Sequence, residues 1–462
     1  MADGALLDRD AERARLDEAW KAARRGEPQL AIVWGRRRVG KTFLLADFAR
    51  PRRAVFFGAT QESEGVELRR LGEAVRRDLG DREADLAGGS FASWEAALRY
   101  FAALAREKPL LVVLDEVPYL MGSTPGFASM VQVVWDHAAR GSKLMLVLTG
   151  SSIGVVATML GESGALHGRP TLAMRLDPVD ILASRLFMGR LAPDRYLEAY
   201  AACGGYPLHL KAWDARAGLR ENLRRLAASP DGLLLSDAAS ILAEELRGAG
   251  GHARVLAAVG RGHTRYGEIA NEAGQRIEAP LETLIRAGFL RKALPVGAPK
   301  DAKPGYEIGD TYLAFWFSCL FAHQTEIEAG QGDAVLERIT PSWQRHLGWV
   351  FEEAARAHAV RLVRRGDLPS DLVIGRWWAS RGSPCEIDVL GLRGARVALL
   401  GEAKWQRSPL DLADLEDLRR RAERVPSKVD SPIFALWGRG GVAARAKRAG
   451  ALGWGLREML AE

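Results

Sequence analysis

Eight consecutive residues, Gly35-Arg36-Arg37-Arg38-Val39-Gly40-Lys41-Thr42, satisfy the spacing GxxxxGK[ST]. Two glycines let backbone N–H groups turn inward around phosphate oxygens, and Lys41 places a point charge on the β- and γ-phosphates. Thr42 offers a hydroxyl to Mg²⁺, and a helix starting at this point directs its N-terminal dipole at the anion. Upstream lies an apolar run, QLAIVW, and downstream a segment with helical spacing, KTFLLADFAR, which is the context such a loop requires. A second apolar run, Leu110–Leu114, ends in Asp115-Glu116. An aspartate at a strand tip can hold the Mg²⁺ shell, and the adjacent glutamate can orient and deprotonate a water, so Glu116 is the candidate catalytic base. The cofactors this chemistry needs are ATP and Mg²⁺.

A second set of residues lies in the last quarter of the chain. Glu352 stands on a helical segment that begins near Trp343, Asp388 within the apolar run Glu386–Leu390, and Glu402 and Lys404 in LLGEAKW. Residues i and i+2 of a strand share a face, so Glu402 and Lys404 point together. Asp388 on the neighbouring strand can meet Glu402 around one Mg²⁺, with Glu352 completing the shell and Lys404 orienting the attacking water. The order of acid, spacer and Glu-x-Lys resembles the PD-(D/E)xK nuclease superfamily, with Ile387-Asp388 where its Pro-Asp stands. The resemblance implies a carboxyl-terminal α/β domain like that of restriction endonucleases, and DNA as its partner.

The chain as a whole resembles the archaeal-type ATPase family, close to the AAA+ and signal-transduction NTPases. The matching features are LDRDAERARL, GRRRVGKT, VVLDE, LTGSSI, HGRP and CGGYP, followed by a carboxyl-terminal domain known in that family only as uncharacterised. The resemblance implies a polar residue after the strand Leu144–Leu148 that senses the γ-phosphate, here Ser151. It implies an arginine for the γ-phosphate or a neighbouring subunit, Arg169, with His167 where relatives carry an aromatic. It also implies a glycine–x–proline element through which a helical lid reads the nucleotide, here ending at Pro207. Relatives of the AAA type suggest a homo-oligomer.

These residues require elements that hold them. Residues 28–150 alternate buried strand-like runs (QLAIVW, RAVFFGA, LLVVLDE, KLMLVLTG) with helical patterns such as SWEAALRYFAALARE, which indicates a parallel sheet covered on both faces. The expected plan is an α/β P-loop ATPase core over residues 1–177 and a helical lid over 178–250. A winged helix-turn-helix over 251–330 and the nuclease-like domain over 340–462 complete it. In the third segment, Tyr266–Ala273 and Arg276–Ala287 read as two helices, and Leu290–Val296 with Gly305–Ile308 as a wing. Arg265, Arg276, Arg286, Arg291, Lys292, Lys300 and Lys303 could contact phosphates there.

Composition narrows the function classes. Three cysteines, Cys203, Cys319 and Cys385, lie far apart with no CxxC pair, which excludes a disulfide framework and a cysteine-built zinc site. With no signal-like amino terminus and no run of about 20 apolar residues, the expectation is a cytoplasmic protein that meets no membrane. The net charge of +7 is unevenly spread: residues 340–462 carry 21 basic and 15 acidic residues, and residues 1–339 carry 44 and 43. Nearly all the excess lies where a phosphate backbone would dock. The sequence therefore reads as an ATPase coupled to DNA binding and to DNA cleavage by its last domain. An ATP-gated signalling switch, or a DNA-binding regulator with an inactive nuclease fold, is the alternative.

Overall fold

The computed structural model describes residues 7–80, 90–246, 250–299, 302–379, 385–425 and 429–461; Lys300 lies outside them. The chain forms two compact units. The first comprises the described residues of Met1–Val179, Tyr206–Leu208 and Ile241–Arg247, and the second comprises the rest. The segments expected to be lid, winged helix and carboxyl-terminal domain therefore fall mainly in one unit.

The first unit is a parallel sheet of β1 (Gln29–Trp34), β2 (Ala54–Gly58), β3 (Leu110–Asp115), β4 (Leu144–Gly150) and β5 (Leu172–Arg175), in the order β2-β3-β4-β1-β5. Helices α1 (Asp10–Arg24), α2 (Lys41–Ala49), α3 (Glu64–Leu79), α4 (Trp94–Glu107), α5 (Val117–Ser123), α6 (Phe127–His137) and α7 (Ile153–Leu160) accompany it. Every residue of β3 and β4 is buried, as strands covered on both faces must be. Their continuous Leu/Val runs exclude the polar alternation of a half-exposed sheet. Trp94, Phe101 and Phe127 fill the core beneath α4 and α6. Fifth in the sheet, β5 has only four residues with alternating burial, and no long apolar run announces it.

The second unit carries a mixed sheet of β8 (Val373–Trp378), β9 (Glu386–Arg393), β10 (Arg396–Lys404), β11 (Val429–Gly438) and β12 (Ala451–Gly455), in the order β12-β11-β10-β9-β8. The pairs β8–β9 and β9–β10 are antiparallel, whereas β10–β11 and β11–β12 are parallel. The 26-residue helix Thr340–Arg365 precedes this sheet, and the helix Leu412–Ala422 connects β10 to β11. Earlier in the same unit, helices Tyr266–Ala273 and Glu278–Arg286 lead into the antiparallel pair β6 (Leu290–Ala293) and β7 (Gly305–Ile308). Just past β6, the Val296 N–H donates to the Arg376 carbonyl at 2.8 Å. That bond ties the hairpin to edge strand β8, one of the ways a sheet edge is covered. No helix of the described residues is long and apolar enough to cross a membrane.

Candidate nucleotide site and carboxylate cluster

The strand order decides what meets at the nucleotide site. Because β4 lies between β1 and β3, its carboxyl end falls between the loop that follows β1 and the acids that follow β3. Ligands of open parallel sheets bind at this end of the strands. Gly35 leaves β1 with φ +155°, and a Cβ there would stand 2.1 Å from the Leu176 carbonyl oxygen. Gly40, at φ +97°, starts α2. Between them Arg38 adopts φ +69°, a left-handed conformation that a side chain normally avoids and that collects at functional sites. Val39 is buried, and its carbonyl accepts at 3.0 Å from the buried Arg9, which also donates to the Asp177 carbonyl at 2.9 Å. Arg9 belongs to the opening LDRDAERARL and anchors the loop from behind, a role that sequence spacing did not disclose. Lys41 is 4% exposed, and its Nζ donates to the carbonyls of Gly35 at 2.8 Å and Arg36 at 3.2 Å.

Asp115 is the hub. Its Oδ2 accepts from Thr42 Oγ1 at 2.7 Å, and its Oδ1 accepts from Thr149 Oγ1 at 2.8 Å and from the Glu116 N–H at 3.1 Å. A hydroxyl and a carboxylate in contact at a strand tip are the hard oxygen donors Mg²⁺ selects, so these residues fit that ion. Glu116 turns the chain out of β3 with φ +58°, and Pro118 at the start of α5 cannot continue a ladder. The Glu116 Oε2 accepts from both the Ser151 N–H, at 3.0 Å, and Ser151 Oγ, at 2.8 Å. The structure thus gathers the loop, Thr42, Asp115, Glu116 and Ser151.

Arg169 has a partner within this chain other than the loop. The Arg169 guanidinium forms a forked pair with Asp136 of α6, with Nη2–Oδ2 at 2.9 Å and Nε–Oδ1 at 3.1 Å, and also donates to the Ala165 carbonyl. Within this chain its fork is therefore spent on α6 rather than directed at a phosphate. The hydrogen bond to Arg169 holds the Asp136 carboxyl below its ordinary range. Pro207 begins the helix Pro207–Ala212, directly after the fully buried Tyr206.

In the second unit, Glu352, Glu386 and Asp388 bring carboxylate oxygens within 4.8 Å of one another. The sequence points to Glu352, Asp388 and Glu402 and does not single out Glu386. Its position two residues before Asp388 on β9 places both on one face, and that signal was available. Burial first, then Asp388, pushes the Glu352 carboxyl well above its ordinary range. Burial and then Glu402 do the same to Asp388, against the Ala403 N–H that donates to Asp388 Oδ2 at 2.9 Å.

Glu402 is not one of these three: its Oε2 pairs with Arg421 of the helix Leu412–Ala422. Lys404 Nζ binds Asp414 of the same helix at 2.9 Å and stands 3.5 Å from Glu402. Arg376 pairs with Glu386, and Arg421 also donates to the Glu386 carbonyl at 2.8 Å. Three carboxylates supply hard oxygens suited to Mg²⁺, but an arginine already meets Glu386, and another pairs with the neighbouring Glu402.

Comparison with known proteins finds matches in both halves of the chain. Residues 6–212 match the model of an ATPase domain predominantly from Archaea, and residues 316–419 match one described as archaeal and bacterial proteins of unknown function. An uncharacterized protein of Methanocaldococcus jannaschii is 27% identical over 452 residues, covering 94% of this chain and 95% of its own. Among solved structures, a Walker-type ATPase of Pyrococcus abyssi is similar with a TM-score of 0.52 at 19% identity, over 68% of this chain and 96% of that one. The ORC2 protein of Aeropyrum pernix, in its ADPNP–ADP complexes, is similar at a TM-score of 0.44 and 11% identity, over 73% and 98%. The fold is that of a P-loop ATPase core followed by a mixed-sheet domain.

Proposed function

We propose that this protein is a Mg²⁺-dependent ATPase that couples nucleotide turnover to DNA binding by its carboxyl-terminal segment. The observation that carries the reading is the pair of contacts Thr42–Asp115 and Ser151–Glu116 at the ends of adjacent strands. Thr42 and Asp115 would hold Mg²⁺, and Lys41 with the loop amides of residues 35–42 would bind the phosphates. Ser151 fixes one oxygen of Glu116, which presents the other to a water in line with the γ-phosphate. Mg²⁺, when bound, neutralises charge developing on the β- and γ-phosphate oxygens.

DNA is the partner because residues 340–462 hold +6 of the +7 net charge, and neutralising phosphates with released counterions drives such binding. The two helices and hairpin at residues 266–308 support a winged-helix reading, in a packing role. The exposed residues of Glu278–Arg286 include Glu278 and Glu282 beside Arg286, a poor surface for phosphate. Arg291 is engaged by Glu307 at 3.1 Å and Glu353 at 2.7 Å.

The arrangement of helix, strands and acids around β9 and β10 supports a nuclease-like fold. The pairing of Glu402 with Arg421 and of Glu386 with Arg376 favours the non-cleaving alternative, a domain that grips DNA without cutting it.

Incubating the protein with ATP, Mg²⁺ and linear, forked and four-way DNA tests this reading. The expected result is Mg²⁺-dependent hydrolysis stimulated by one DNA form, salt-sensitive binding and intact DNA. Hydrolysis indifferent to every DNA form contradicts the coupling. Cleavage abolished by Glu402→Ala contradicts the non-cleaving reading and restores the nuclease.

A further inference from the structure

Glu245 ends the helix Leu233–Glu245, 93 residues after Ser152, yet its carboxylate sits at the catalytic end of β4. Glu245 Oε2 accepts from Ser152 Oγ at 3.2 Å, and Oε1 accepts from the Ile153 N–H at 3.1 Å. These groups open α7, whose N-terminal dipole favours a negative charge. Ser152 in turn caps α7 by accepting from the Val155 N–H at 3.4 Å. Immediately before it, Ser151 holds Glu116 through both its N–H and its hydroxyl. The carboxylate is also attracted to Arg36 of the phosphate loop, which together with these hydrogen bonds opposes the upward push that burial gives its pKa. All of these residues belong to the first unit, whereas Leu233–Ser240 of the same helix belong to the second.

We infer that Glu245 is a positioning residue for ATP hydrolysis. It ties the end of the helix Leu233–Glu245 to the start of α7, directly after the Ser151 that aims Glu116. The inference rests on the ATPase reading above. It assigns Glu245 no contact with nucleotide, so its loss acts on the geometry of the base rather than on affinity.

The test is steady-state ATP hydrolysis by wild type, Glu245→Ala and Glu245→Gln, with the thermal midpoint of each. Glu245→Ala is expected to lower kcat by about tenfold or more, with KM for ATP within about twofold and little change in midpoint. Glu245→Gln keeps one acceptor oxygen, enough for one of the two bonds that the carboxylate's Oε1 and Oε2 make to Ile153 and Ser152, and loses the negative charge, so its kcat falls between the two. Because the effect passes through Glu116, adding Glu245→Ala to Glu116→Gln should cost little more than Glu116→Gln alone.

A wild-type kcat in Glu245→Ala overturns the proposal, as does a full additional loss in the double variant. A parallel change in KM and midpoint also overturns it by showing a general packing role. If Glu245→Ala fails to fold, Glu245→Gln carries the same comparison. Absence of hydrolysis in wild type overturns the ATPase reading itself, and the proposal with it.

Discussion

Gly35 has no room for a side chain: a methyl group would meet the Leu176 carbonyl at 2.1 Å, where backbone, not a flexible side chain, stands in the way. Gly35→Ala must displace either the end of β1 or the strand beside it. It is expected to reduce ATP affinity by at least tenfold, measured by titration with a fluorescent nucleotide; an unchanged affinity would show that the loop does not depend on this approach. Asp115 shows the same economy, since one carboxylate organises Thr42, Thr149 and the Glu116 N–H. Most of these residues are legible in sequence because loop, strand tip and base are local patterns of spacing. Arg9, Arg421 and Glu245 are not, because each acts on a group far along the chain. No periodicity records that Arg421 will fold back onto Glu402, or that Arg169 will find Asp136.

At the scale of elements, β1 to β4 are readable from unbroken apolar runs, and α2 and α4 from their helical spacing. The four-residue β5 is not, since pairing with β1 rather than its own composition makes it a strand. Apolar runs likewise mark β9 and β10, but their register places Val389 opposite Gly401, and helices packed nearby then determine which carboxylates converge.

The helix Thr340–Arg365 also carries two buried histidines. Burial pulls His346 down to about 4, against a hydrogen bond of 2.9 Å to the Ala201 carbonyl. His358, which accepts from Trp437 Nε1 at 3.0 Å, is lowered to about 4 by burial and by Arg361 and Arg365. The ordinary histidine pKa is about 6.5, so below it the unfolded chain takes up protons that the folded unit refuses. Stability is full above about pH 6.5 and is lost as pH falls toward 4. At pH 5 His346 alone contributes a loss of about 2 kcal/mol, from the roughly 1.5 units between its unfolded pKa and that pH. Thermal melts followed by tryptophan fluorescence should show a lower midpoint at pH 5 than at pH 7. His346→Asn, which retains a donor for Ala201 but does not titrate, should reduce that difference; an equal difference in the variant would contradict the assignment.

For the molecule as a whole, charge and chemistry are segregated. Residues 1–339 are close to neutral and hold the nucleotide site, whereas residues 340–462 hold the basic excess. The carboxylates of the second unit resemble a nuclease centre in sequence, but arginines meet two of them in space. On the proposed function, hydrolysis takes place at the ends of β1, β3 and β4, and the other half binds what ATP turnover acts upon. In the proposed function Glu116, held by Ser151, is the base of that site. The direct measurement of this role is single-turnover ATP hydrolysis by wild type and Glu116→Gln, beside ATP binding by each. Binding within about threefold and a hydrolysis rate reduced by about 10²-fold or more are expected, in the range general-base catalysis supplies. A Glu116→Gln protein that hydrolyses ATP at the wild-type rate would contradict that role.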